Sequence, residues 1–116
     1  GPPDWFTPAR RRLVETVARR LGDAQRSPLR GWAFVAFDPG ASPITGQLGL
    51  RFRRGERDLL MFVNVHAAGP SGPERVTVRP DTTARAWDDP APAAFVAVGN
   101  LLNHYLKRAG LVKTDG

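Results

Sequence analysis

Arg54-Gly55-Glu56-Arg57 lies between two runs of alternating polarity, and no other segment restricts the fold as tightly. Upstream, residues 45–54 carry Leu48, Leu50 and Phe52 on one side and Gln47, Gly49, Arg51 and Arg53 on the other. Downstream, residues 57–66 carry Leu59, Met61, Val63 and Val65 on one side and Asp58, Leu60, Phe62, Asn64 and His66 on the other. A period of two over this length is that of a half-buried strand. Gly55 supplies the positive φ that a type II′ turn needs at its first central position, and that turn matches the twist of the strands it joins. Pairing Arg54 with Arg57 sets Phe52 opposite Leu59, Leu50 opposite Met61, Leu48 opposite Val63 and Gly46 opposite Val65. The second face pairs Arg53 with Asp58, Arg51 with Leu60, Gly49 with Phe62, Gln47 with Asn64 and Thr45 with His66. A slip by one residue mixes the two sets, so turn chemistry and hydrophobic pattern demand the same register.

The flanks extend this hairpin into a domain. Thr7 is a good N-cap, and Pro8 at the first helical position gives up an N–H that would have no partner there. Leu13, Val14, Val17 and Leu21 then recur at helical spacing until Gly22 stops the helix, with Trp5 or Phe6 stapling its entry. Residues 32–37 form a short aromatic run between Gly31 and Asp38-Pro39-Gly40, which favours a strand. Its face is open, because Trp32 and Phe34 on one side and Ala33, Val35 and Phe37 on the other serve equally well as core. Residues 75–79 alternate as a fourth strand, Val76 and Val78 inward, and Pro80 places it at an edge. A last helix is expected from Asp89-Pro90. Phe95, Val98, Leu101, Leu102, Tyr105 and Leu106 form its apolar face; Asn100, Asn103, His104, Lys107 and Arg108 form the wet one. Gly110 ends it, with Leu111 folding back in a Schellman contact.

The order is α-β-β-β-β-α: an α+β domain, a four-stranded antiparallel β-meander flanked by N-terminal and C-terminal helices. The opening Gly1-Pro2 looks like the stub left when a tag is cut off an excised domain, so residues 1–3 stand outside the fold. Residues 4–113 form the single domain, and residues 114–116 are a tail.

Seventeen basic residues face eleven acidic ones, a net charge of +6, and only Lys107 and Lys113 among the cations are not arginine. A GC-rich genome writes Arg for Lys, which accounts for the ratio; the net charge points to an acidic partner. Arg10, Arg11 and Arg12 crowd the positive end of the first helix, where the dipole disfavours them. The chain has no cysteine, hence no disulfide scaffold or thiolate zinc site, and two histidines give little material for any metal. No Walker loop, dinucleotide fingerprint or Gly-x-Ser-x-Gly occurs, so no cofactor is expected. No apolar run reaches the length of a membrane span, and the chain is expected in the cytoplasm.

Arg30-Gly31-Trp32-Ala33-Phe34-Val35-Ala36-Phe37 resembles the aromatic octapeptide of RNA-recognition motifs. In that family the octapeptide lies on a strand whose alternate aromatics stack bases. The resemblance covers eight residues of 116, and the neighbourhood departs from it. That family runs β-α-β-β-α-β, whereas here a helix precedes the strand and another strand follows. What carries over is an aromatic strand, with Trp32 and Phe34 as base-stacking residues if they share the face of Arg51.

The outward face of the hairpin holds the stronger constellation. Arg51, Arg53, Arg75 and Arg79 surround Gln47, Asn64, His66 and Thr77, with Leu60 and Phe62 between them. Cations, an aromatic ring and amides are what a single-stranded nucleic-acid platform uses. The expected function is therefore non-enzymatic binding of single-stranded RNA or DNA. Phe62, Trp32 and Phe34 would stack bases, the four arginines would hold phosphates, and Gln47, Asn64 and His66 would read polar edges. The alternative is a protein interaction or homodimer using the same face, with an acidic surface as partner. A third reading rests on outline alone, which resembles small RNase toxins. There His66 would be the acid–base and Arg51 or Arg79 would stabilise the phosphate. All three require both helices on the opposite side of the sheet; helices divided between the faces would bury the platform.

Overall fold

The computed structural model describes residues 4–39, 46–81 and 90–113. Over them run α1 (Pro8–Leu21), β1 (Ala33–Asp38), β2 (Gln47–Arg54), β3 (Arg57–His66), β4 (Arg75–Pro80) and α2 (Pro92–Arg108). The strands form one antiparallel sheet in the order β1-β2-β3-β4, so the fold is the α+β meander that the patterning predicts. Expectations for Thr45, for the connector over residues 82–89 and for both chain ends lie outside the described residues. Among those residues no helix is long and apolar enough to cross a membrane.

The β2–β3 hairpin has the expected register from Gln47↔Asn64 to Arg54↔Arg57. Gly55 takes φ +60°, and no described residue other than glycine has a positive φ, which is the type II′ pattern. Leu48, Leu50, Phe52, Leu59, Met61 and Val63 are all buried on one face. At about 1.5–3 kcal/mol for each large apolar side chain removed from water, this hairpin face is the largest single block of the core.

Both helices lie on that face. Val14, Val17 and Leu21 of α1 and Phe95, Val98, Leu102 and Leu106 of α2 join the hairpin residues in one cluster. α1 starts at Pro8 as expected, although the Thr7 side chain makes no capping hydrogen bond. Gly22 ends α1 in an ordinary right-handed conformation, φ −73°, and not in the left-handed one expected of a stop glycine. Its role is close approach. A Cβ at Gly22 would sit 2.6 Å from the Trp32 carbonyl oxygen, and the Gly22 carbonyl accepts from the Gly31 N–H at 3.0 Å.

β1 resolves an ambiguity that periodicity left open. Phe34 pairs with Phe52 and Phe37 with Leu50, and a bulge lies between Phe34 and Ala36. One extra residue lets two phenylalanines three apart both face the core. Val35, at the bulge, is 55% exposed. Trp32 and Phe34 are therefore core residues, on the side of the sheet opposite Arg51; the octapeptide's aromatics do not form an outer platform.

α2 begins at Pro92 with Ala91 as N-cap, two residues later than expected, so Pro92 takes the first-turn position that suits proline. Its end is a Schellman motif: the Gly110 N–H donates to Lys107 and the Leu111 N–H to Leu106. Two side chains are misplaced by a helical wheel. Tyr105, expected in the core, is 36% exposed. Asn103, expected in water, faces β4. Its Oδ1 accepts from the Val76 N–H at 2.8 Å and its Nδ2 donates to the Val76 carbonyl at 2.7 Å. The outer edge of the sheet at β4 is thereby closed by a helix amide, while the bulge interrupts the edge at β1.

Candidate functional site

With both helices on the inner face, the outer face carries the alternate residues of each strand. Its central row is Gly49, Phe62 and Arg79. Arg51 pairs with Leu60 in the next row, and Arg53 with Asp58 beyond it. On the other side lie Gln47, Asn64 and Thr77, then His66 and Arg75. The β2–β3 and β3–β4 registers thus put all four predicted phosphate-holding arginines on one face, and all four are exposed. Neighbouring strands run about 4.8 Å apart and alternate residues recur at about 7 Å, so the cations form a grid.

Two of the four already have partners. Arg51 Nε donates to Asp38 Oδ2 at 2.7 Å and Arg53 Nε to Asp58 Oδ1 at 3.1 Å. Exposed pairs of this kind contribute at most about 1 kcal/mol, so a phosphate can take over either guanidinium at small cost. Arg75 has no acidic partner among the described residues. The polar readers are tied to one another: Gln47 Nε2 donates to Asn64 Oδ1, and His66 Nε2 shares a hydrogen bond with Thr77 Oγ1 at 2.9 Å.

Phe62 does not offer an open ring. It is 5% exposed, and the Arg79 guanidinium lies over it, 5.1 Å from the ring centroid. Gln47 is buried too, which leaves Asn64 and His66 as the reachable polar groups. Phe62, Trp32 and Phe34 are thus all placed where no base reaches them directly. The group presented to solvent in the central row is the guanidinium of Arg79, which lies over Phe62.

Patterning missed how the other arginines are used. Arg10 lies over Trp5, Arg11 over Phe37 and Arg19 over Phe34, while Arg54 and Arg57 both lie over Trp32. These guanidinium planes cover the aromatic margins of the core, a use of arginine that lysine's point charge fits poorly. Arg10 also donates to the carbonyls of Leu111 and Trp5, each at 2.9 Å, and lies 3.9 Å from the carboxylate of buried Glu74. Two of the three cations that crowd the start of α1 are therefore held there by the fold itself. Arg12 is the one left over.

No family model, curated protein or solved structure matches this chain.

Proposed function

We propose that this protein is a non-enzymatic binding domain for single-stranded nucleic acid, held on the outer face of its sheet. The observation that carries the reading is the exposure of Arg51, Arg53, Arg75 and Arg79 on the face that neither α1 nor α2 covers, with two carboxylates, Asp38 and Asp58, against them. Phosphates would displace the aspartates from Arg51 and Arg53 and bind Arg75 directly. Arg79 would hold a fourth phosphate through its N–H edge and take a base on the free side of its guanidinium, since guanidinium groups serve as stacking surfaces for splayed-out bases. Asn64 lies in the row beside it and His66 one row further, where they would meet base edges. Catalysis at His66 would need a second acid–base group, and the partner described for its ring is the Thr77 hydroxyl.

The test is a salt series of fluorescence-polarisation titrations with short single-stranded and duplex oligonucleotides. Four phosphate contacts predict a log–log slope of about −3 for the single strand. Weaker binding of the duplex is expected, because a stacked base is not available to Arg79. Absence of binding at low salt overturns the reading. Cleavage of the oligonucleotide that disappears in His66→Ala would replace it with the nuclease alternative.

A further inference from the structure

A second surface lies on the other side of the molecule, where α1, α2 and the turn after α1 enclose a groove of about 550 Å³. Its floor is apolar. Leu13, Val17 and Leu21 form one wall at intervals of four residues, and Leu101 and Tyr105 form the other at the same interval. Arg12, Arg20 and Arg26 stand along the rim. None of these three has an acidic partner among the described residues, in contrast to Arg10, Arg19, Arg51 and Arg53.

From this arrangement we infer that the groove docks an acidic amphipathic helix of a partner protein. Two facing ridges of side chains, each spaced by four residues, are the shape into which a third helix lays its own ridge. The charge pattern selects the kind of helix. Arg12 and Arg20 are eight residues apart on α1, about 12 Å along its axis. Carboxylates two turns apart on a docked helix match that spacing one to one, each beside its own guanidinium. Arg26 provides a third contact at the end of the groove. The same pattern accounts for Arg12, which neither the helix dipole nor an intramolecular contact explains.

The probe is a fluorescein-labelled peptide of about sixteen residues, with Leu at i, i+3, i+4 and i+7 spacing and Glu on the remaining face. Titration with the full chain should give saturable polarisation. A scrambled peptide of equal composition, or one with Lys in place of Glu, should bind at least about tenfold more weakly. Arg12→Glu, Arg20→Glu and Arg26→Glu combined, or Tyr105→Glu alone, should cost about tenfold or more while the thermal midpoint is kept, since all four side chains are exposed. Equal affinity for the scrambled peptide, or an unchanged affinity in the combined variant, overturns the inference. So does displacement of the peptide by stoichiometric laurate, which would assign the groove to a small anionic amphiphile, or by an oligonucleotide, which would assign it to nucleic acid.

Discussion

Replacing Asn103 by alanine should lower the unfolding free energy by about 2–4 kcal/mol, measured by denaturant titration, although a helical wheel places it among the solvated residues. The Asn103 amide takes both the N–H and the carbonyl of Val76, which point away from β3 at the edge of the sheet. Alanine leaves a donor and an acceptor without partners in a partly buried site, at about 1–3 kcal/mol for each. Asn100→Ala, one turn away and exposed, is the internal control and should change stability by less than about 0.5 kcal/mol. The β4 amides should also exchange faster with solvent, and the opened edge should make the variant prone to self-association. Equal effects of the two substitutions would mean that α2 does not close the edge.

The second large effect concerns binding. Arg79→Glu should weaken single-stranded oligonucleotide binding by about tenfold to a hundredfold at low salt and flatten the salt slope by about 1. The charge-preserving change separates two contributions. Arg79→Lys keeps the cation but loses the plane supported by Phe62, so it should cost about fivefold, near 1 kcal/mol, with the salt slope unchanged. Arg75 has no ring beneath it among the described residues, so Arg75→Lys should bind almost as the parent does. If Arg79→Lys matches the parent, phosphate charge alone holds the ligand and the stacking role of Arg79 is removed.

Legibility in the sequence followed the range of the interaction that decides each element. The hairpin was readable because its turn is set by Gly55 and its faces by strict alternation, both within twenty residues. Arg51 and Arg53 came with it, because register assigns faces, and Arg75 and Arg79 followed from the alternation of β4. β1 was not readable: a single bulged residue inverts the parity of everything after it, and no local signal marks Val35 as extra. Asn103 was hidden for a different reason. An amide on the polar side of a helix looks the same whether it meets water or a strand edge, and only the packing of α2 against β4 distinguishes them.

The arginines show the same limit. Their number suggested a charged surface, yet Arg10, Arg11, Arg19, Arg54 and Arg57 lie over aromatic rings at the rim of the core. All of those contacts except Arg10 over Trp5 join residues far apart in the chain, so composition counts the guanidinium groups without telling sealing ones from binding ones. A better sequence signal was the partial stripe of α1 and α2: apolar side chains in excess of what one core face accepts leave Leu13 and Tyr105 at a groove.

The central claim, that the outer sheet face is where nucleic acid binds, is tested most directly by following backbone amide chemical shifts during titration with a short single-stranded oligonucleotide. Shifts concentrated at Arg51, Arg53, Leu60, Asn64, Arg75 and Arg79, with those of Arg12, Arg20 and Arg26 unmoved, are the predicted result. Shifts concentrated on α1 and α2, or none on the sheet at saturating ligand, would contradict it.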